Sequence, residues 1–297
     1  MKAPLMRRSS RITLSPATSA ISFMRRSKAL RMAALAAAAV LLLSGAALAW
    51  EADDEVGRPG MLLAGMSGFG SLSEESVLGD ACADAVRAAA GTDLALVMGG
   101  EFTANLEPRE YRYGELCAAL REPEKPLAAA SVTAAELKAI LEAGFAAVTL
   151  GENEAIDREA SASAAFPQLS GLSVVYDTSA RAGERVMRLW INGEKVDLTD
   201  GQTRYTLAST ADVFAGAEGY PETACEALDG TLAQALADFV AAGTPDDYTG
   251  SGRIRAVGCT DDNLVRRFPV VLCVLAAILI WLGSRLWKYK YTHRSAR

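Results

Sequence analysis

Residues 93–106 read DLALVMGGEFTANL, and this stretch decides the kind of fold to expect. Leu94–Met98 is a short apolar run that fits one buried β-strand, and the glycine pair after it predicts a backbone turn. Upstream, Ser73 can cap a helix that runs to about Ala90, and Gly91 provides its stop signal. A helix followed directly by a buried strand predicts a fold that mixes both elements.

The segments farther along the chain keep this mixed character. The sequence Thr133-Ala-Ala-Glu136 is a capping box and predicts a helix that ends at Gly144. Asn192-Gly193 predicts a hairpin turn. The remaining predictions are helices at 113–120 and 231–242, and strands at 169–176, 186–191, 194–198 and 205–209. Because helices and strands do not strictly alternate, the sequence predicts an α+β fold.

Six segments of this region together resemble one known domain. They are ESVLGDACADAVRAA (75–89), DLALVMGGEFTANL (93–106), YGEL (113–116), SVTAAELKAILEAG (131–144), FPQLSGLSVVYD (166–177) and YTLASTADVFAGAEGYP (205–221). In content, order and approximate spacing they resemble the C-terminal domain of the 5'-nucleotidase family. The resemblance covers roughly residues 70–255 and implies a four-layer helix/sheet/sheet/helix arrangement. Its best-matched positions are apolar core positions, so they support the fold and not an activity.

The resemblance also implies a nucleoside site. In the family, two aromatic rings sandwich the base, an acidic residue binds the ribose hydroxyls and arginines hold the phosphate. Phe166 falls on the first aromatic position; the alternative is a core residue at a strand start. Asp212 takes the place of the second ring, and Phe214 can replace it only if the loop shifts. Glu218 takes the place of the ribose-binding aspartate; the alternative is an exposed loop acid.

The glycine turn departs from the family where the family binds phosphate. Thr103 stands in place of the phosphate-binding arginine, and Glu101 places a carboxylate where the family has glycine. A guanidinium fork suits phosphate, whereas a nearby carboxylate repels it, so we expect phosphate binding to be lost at this position. Arg121 or Lys125 could compensate, or both could be solvated loop charges. The candidate ligand-contacting residues of this turn are Gly99, Gly100 and Thr103.

No residue of this chain is predicted to be catalytic. The family pairs this domain with an N-terminal two-metal phosphatase domain, and only the C-terminal half has a counterpart here. The single histidine, His293, lies near the C-terminus, so a Ser-His-Asp triad is not expected. We therefore expect no cofactor on this chain, and a divalent metal only if a partner chain supplies the phosphatase domain.

Both ends of the sequence carry targeting signals. A basic stretch, an apolar run and Ala47-Leu48-Ala49 predict a signal peptide, with the start at Met1 or Met24. An apolar run with a basic flank predicts a membrane span, for which a buried soluble helix is the alternative. The predicted organisation is signal peptide 1–49, linker 50–69, domain 70–257, juxtamembrane linker 258–267, transmembrane helix 268–287 and cytoplasmic tail 288–297.

The charge distribution indicates which partners to expect, and the cysteines indicate a candidate disulfide. All 36 acidic residues but only 15 of the 30 basic ones lie between residues 50 and 265, which gives this body a net charge of −21. So acidic a surface excludes nucleic acid as a partner. In an oxidising compartment, Cys225 and Cys259 are candidates for a disulfide.

These observations lead to one functional expectation and one alternative. We expect a single-pass protein of the cell membrane, with the acidic domain extracytoplasmic and the tail cytoplasmic. It would take part in nucleotide catabolism by binding a nucleoside or nucleotide-like ligand, or by assisting a metallophosphatase partner. The alternative is a non-catalytic surface or scaffold protein that kept the fold and lost the site.

Overall fold

The structure is a computed structural model that describes residues 50–66, 69–244, 248 and 252–260. The predicted signal peptide (1–49), transmembrane helix (268–287) and cytoplasmic tail (288–297) lie outside the described residues. Within the described part of the chain, no helix is both long enough and apolar enough to cross a bilayer.

The described residues form eleven strands and five α-helices. In chain order these are β1 (Glu55–Gly57), α1 (Val77–Ala90), β2 (Leu94–Met98), β3 (Tyr111–Arg112), α2 (Tyr113–Cys117), β4 (Pro126–Thr133), α3 (Ala134–Gly144), β5 (Pro167–Ser170), β6 (Leu172–Asp177), β7 (Val186–Ile191), β8 (Glu194–Lys195), β9 (Arg204–Thr210), α4 (Ala211–Phe214), β10 (Cys225–Thr231), α5 (Leu232–Ala241) and β11 (Ile254–Val257). Short 3-10 turns occur at Gly70–Leu72, Gly99–Glu101 and Ala217–Gly219.

The strands form two main sheets and one small one. The larger sheet has the order β10-β4-β9-β2-β5, the second has the order β11-β6-β7-β8, and β1 pairs with β3. Both main sheets are mixed, because β2 runs parallel to β9 and β11 runs parallel to β6 while the other pairs are antiparallel. The α+β class predicted from the sequence is therefore confirmed.

Two hydrophobic cores lie on opposite faces of the five-stranded sheet. The helix-side core is formed by α1 and α5, which pack on each other and on Ala95, Val97 and Ala208 of the sheet. The inter-sheet core lies against the other face and contains apolar residues of α3 and of the four-stranded sheet. Helix α3 contacts β4 of one sheet and β7 of the other, and its apolar residues belong to the inter-sheet core.

Local signals explain where the main helices begin and end. Helix α1 is capped by Ser76, whose Oγ accepts from the backbone N–H of Gly79, and not by Ser73 as predicted. It ends at Gly91, which adopts the left-handed conformation with φ 63°. Helix α3 has the predicted capping box, in which Thr133 and Glu136 each accept from the other's backbone N–H.

Described residues of both predicted linkers contact the domain. In the segment 50–69, β1 pairs with β3, and the indole N–H of Trp50 donates to an Asp238 carboxylate at 2.9 Å. After β11, the backbone N–H of Thr260 donates to the Glu154 carbonyl. Strand β1 has three residues and β3 has two, which is too short to leave a periodic pattern in sequence.

The predicted disulfide is not formed. Cys225 and Cys259 are both free thiols, the first exposed and the second buried. Cys225 begins β10 at the edge of the five-stranded sheet, whereas Cys259 follows β11 of the four-stranded sheet. Both cysteines lie near the end of the domain in sequence, but they lie at different sheets.

Candidate functional site

A cavity of about 170 Å³ opens beside the glycine turn, the loop before β4 and the start of α4. We call it the acidic cavity, because four carboxylates and two cationic side chains line it. It brings together three predicted site residues from two separate segments: Gly100, Asp212 and Glu218. The full lining is Met98, Gly100, Glu101, Arg121, Glu122, Lys125, Ala164, Asp212, Ala217 and Glu218.

The glycine turn is built for close approach of backbone to backbone. The N–H of Gly99 donates to the Phe166 carbonyl at 2.7 Å, and the N–H of Gly100 donates to the Ala164 carbonyl at 3.0 Å. A Cβ on Gly99 would lie 1.8 Å from the Ser71 carbonyl oxygen, which no side chain can tolerate. Gly99 thus shapes the cavity wall, while Gly100 lines the cavity itself.

Lys125 is the centre of charge in the acidic cavity. Its ammonium lies 2.6 Å from Glu101 Oε1, 2.8 Å from Asp212 Oδ2 and 3.7 Å from Glu122 Oε1. Burial disfavours its charged form, but the hydrogen bonds to Asp212 and Glu101 outweigh burial, so the pKa of Lys125 is raised. The lysine is therefore held charged and already faces three carboxylates.

The pKa values of the two acids bound to Lys125 shift in opposite directions. Burial raises the pKa of Glu101, and the hydrogen bond from Lys125 opposes this only in part. Its side chain is 2% exposed, and Oε2 is buried without a hydrogen bond to any described residue. At Asp212 burial also acts to raise the pKa, but the hydrogen bond from Lys125 contributes to a net lowering. Asp212 is thus the stronger acid of the pair.

Two charged side chains at the mouth of the cavity form no ion pair with Lys125. Glu218 is exposed and adopts a left-handed backbone conformation with φ 53°, which is uncommon for a residue other than glycine. Arg121 donates from Nε to the Gly100 carbonyl at 2.7 Å. Among the described residues Arg121 forms no ion pair, so its terminal amino groups remain available to a ligand.

The structure does not bring the two predicted aromatic residues into this cavity. Phe166 and Phe214 are both buried in the inter-sheet core, and Phe166 packs edge-on against Phe145 with ring centroids 5.7 Å apart. They therefore offer no open sandwich for a base. Thr103 is also outside the cavity lining. Its hydroxyl donates to the Ala118 carbonyl at 2.9 Å.

Glu101, Glu122 and Lys125 are the site residues whose roles the sequence did not reveal. Lys125 was expected to be either a solvated charge or a compensating phosphate ligand, and the ion pairs give it a third role. Its partner Glu101 is 24 residues away in sequence, and Asp212 is far more distant. No sequence pattern connects residues that meet across three separate loops, so only the spatial arrangement shows this network.

The chemistry of the acidic cavity favours a neutral ligand with hydroxyl groups. Carboxylates accept hydrogen bonds from hydroxyls, and the two cations leave a net excess of two carboxylates when all groups are charged. A phosphate placed 4 Å from one carboxylate is repelled by about 1 to 4 kcal/mol, depending on the local dielectric. Within the described residues, no group of three or more His, Cys, Asp or Glu side chains is placed to hold a metal ion.

A comparison of the sequence with family models identifies a known domain over most of the folded region. A family model described as "5'-nucleotidase, C-terminal domain" matches residues 61–225, which is more than half of the chain. A search of curated proteins finds no match. The match ends at the start of β10, although α5 and β11, which follow it, pack into the same domain.

Two solved structures show the same fold. One is a 5'-nucleotidase precursor from Thermus thermophilus, with 22% identity and a TM-score of 0.57, covering 76% of this chain and 43% of that one. The other is the NAD nucleotidase of Haemophilus influenzae, with 17% identity and a TM-score of 0.55, covering 69% of this chain and 39% of that one. The chain thus spans less than half the length of either protein, and the likeness concerns the fold.

Proposed function

We infer the function of this chain from its family: it belongs to the 5'-nucleotidase C-terminal domains. We propose that it serves nucleotide catabolism as a binding module whose acidic cavity holds a nucleoside or a similar hydroxyl-bearing ligand. The observation that carries the proposal is the convergence of Gly100, Asp212 and Glu218 on one cavity. These residues come from two of the segments that define the resemblance.

Two carboxylates of the cavity suit the ribose of a nucleoside. Glu218 is exposed at the mouth, and Asp212 is held charged beside Lys125. Each can accept a hydrogen bond from a hydroxyl, and a hydrogen bond to a charged group contributes about 1.5–3 kcal/mol. The same carboxylates repel phosphate, so we propose that the nucleoside part of the ligand, and not its phosphate, is recognised.

Titration of the full chain in detergent micelles with adenosine tests this proposal. We expect heat of binding that titration into empty micelles does not give. Glu218→Gln is expected to weaken binding at least about tenfold, because the amide replaces a charged acceptor with a neutral one. Glu194→Gln is the matched control, since Glu194 is an exposed acid on β8 outside the cavity lining. Equal affinities of the two variants would contradict a role for Glu218.

A non-catalytic scaffold is the second candidate function. One argument for it is that the rings of Phe166 and Phe214 are buried. A second is that Glu101 and Asp212 already form ion pairs with Lys125. In this case the cavity is closed by the protein's own charges. Absence of adenosine binding by the full chain, with an intact fold shown by circular dichroism, would favour the scaffold.

We further propose that any hydrolysis in which the chain takes part depends on a metallophosphatase partner. The chain corresponds to less than half of the solved relatives, and its only histidine lies outside the described residues. Phosphate release from AMP with added manganese should then require a co-purified partner chain. Release by this chain alone would contradict the proposal.

We propose export and membrane anchoring on the basis of the terminal segments. The apolar run at 268–287 is followed by four lysine and arginine residues, which orients the tail to the cytoplasm. In cells that express the chain with a tag on the tail, external protease should remove the domain and leave the tail protected. A tail that external protease digests, or a chain that fractionates with soluble proteins, would contradict this topology.

A further inference from the structure

A second pocket, of about 290 Å³, is lined by side chains of the inter-sheet core. Phe166, Tyr176 and Ile156 line it, together with Ile254 and Ala256 of β11, and all five belong to that core or pack against it. We call it the aromatic pocket. It shares no lining residue with the acidic cavity. Its volume is at the small end of ligand sites, which range from about 300 to 1,000 Å³, so a ligand there must be small.

The charged groups of the aromatic pocket balance each other. Two carboxylates, Glu74 and Glu75, and two guanidinium groups, Arg158 and Arg255, line it. Glu75 is committed to the protein, because its carboxylate accepts from two backbone N–H groups at the start of β11. The pocket therefore has no net charge, unlike the acidic cavity, and a ligand without net charge fits it best.

One ion pair of this pocket is open to exchange with a ligand. Arg158 Nε lies 3.0 Å from Glu74 Oε2, and the two side chains are 47% and 44% exposed. An ion pair that is half exposed contributes only about 0–1 kcal/mol to stability. Separating Arg158 from Glu74 to admit a ligand thus costs little, provided that the ligand pairs with both groups.

A buried hydroxyl in the same pocket lacks a partner. Ser73 is 1% exposed, and its Oγ forms no hydrogen bond with any described residue. A buried polar group without a hydrogen bond costs about 1–3 kcal/mol. Because Ser73 lines the pocket, a polar ligand atom could supply the missing hydrogen bond.

We propose that the aromatic pocket binds a small zwitterion with an apolar body, which is the chemistry of a free α-amino acid with an aromatic or branched side chain. The ligand's ammonium pairs with Glu74, its carboxylate pairs with Arg158, and its side chain lies on the apolar lining. A ligand that is only an anion or only a cation leaves one half of the Glu74–Arg158 pair without a partner. The site is independent of nucleoside binding.

Titration of the full chain in detergent micelles with L-phenylalanine and L-leucine tests this site, with empty micelles as the blank. We expect at least one of the two to bind. Glycine lacks the apolar body, 3-phenylpropionate lacks the ammonium and 2-phenylethylamine lacks the carboxylate, so each should bind at least about tenfold more weakly. Arg158→Gln and Glu74→Gln should each weaken amino acid binding by a similar factor.

The control is a second ion pair of the same geometry. Arg109 and Glu115 are 3.0 Å apart and similarly exposed, and both are outside the pocket. Arg109→Gln should leave amino acid binding unchanged, and thermal melting of all three variants should stay close to that of the unmodified chain. No binding of either amino acid, affinities unchanged by Arg158→Gln and Glu74→Gln, or equal binding of 3-phenylpropionate would overturn the proposal.

Discussion

Replacing Lys125 with methionine is expected to lower the free energy of unfolding by about 3 kcal/mol at neutral pH, because removing one partner of a buried ion pair leaves the other charge uncompensated. Lys125 is the only cation within 4 Å of the Glu101 carboxylate among the described residues, and Glu101 is almost fully buried. Denaturant unfolding of the two proteins measures the difference. Lys195→Met is the control, since Lys195 is exposed on β8.

The loss should depend on pH through Glu101. Because burial raises the pKa of Glu101 in the folded state, the folded protein holds this proton to higher pH than the unfolded chain. Its contribution to stability is fully present below the ordinary carboxyl pKa and is lost as the pH rises through the raised value. Without Lys125 the pKa rises further, so Lys125→Met should cost more at pH 7 than at pH 5. A cost that is independent of pH would show that Glu101 is not the group left uncompensated.

Replacing Lys125 and Glu101 together separates the electrostatic part of the stability loss from the packing part. If the cost arises from an unpaired Glu101 carboxylate, Glu101→Gln in the Lys125→Met background should restore part of the stability. We expect a coupling of about 0.5–3 kcal/mol between the two positions, the range found for residues in one ion-pair network. Additive effects of the two substitutions would contradict the network.

Replacing Arg253 with methionine should have an effect of similar size, about 3 kcal/mol, for the same reason. Its guanidinium bonds both oxygens of Asp84 at 2.9 Å and donates to the Leu169 carbonyl at 2.6 Å. It therefore joins the segment before β11 to α1 and to β5. The hydroxyl of Tyr248 also donates to the Asp84 carboxylate, at 3.1 Å. The same carboxylate therefore binds both Tyr248 and Arg253.

Hydrogen exchange should localise the effect of Arg253→Met. Loss of the guanidinium is expected to accelerate exchange in β11 and in β6, its parallel neighbour, more than in β2. Arg253→Lys keeps the charge but not the two-pronged geometry, so it should recover only part of the stability. Arg188→Met is the control, because Arg188 is exposed on β7. Unchanged protection of β11 would contradict the role given to Arg253.

The parts of the fold that the sequence predicted are those with local signals. The capping box at Thr133, the stop at Gly91 and the Asn192-Gly193 turn act through neighbours in sequence, and the structure confirms all three. Strand β4 was missed because its sequence, PLAAASVT, is rich in alanine and has no alternating pattern. It is a strand because it lies between β9 and β10 in the five-stranded sheet.

The candidate site was predicted only in part, for a physical reason. The resemblance selected Gly100, Asp212 and Glu218, and the fold brings these three residues to one cavity because it fixes the positions of their loops. It did not show that Phe166 and Phe214 belong to the inter-sheet core, because an aromatic residue at a strand or helix end can face either way. The Lys125 ion pairs are contacts distant in sequence, which only the folded chain reveals.

The central claim is that the acidic cavity recognises the uncharged nucleoside, and one comparison of affinities tests it directly. Adenosine and AMP should be titrated into the full chain under identical conditions. We predict that adenosine binds at least about tenfold more tightly, because the excess of carboxylates repels the phosphate. Tighter binding of AMP than of adenosine would contradict the account and would place a phosphate site at Arg121 or Lys125.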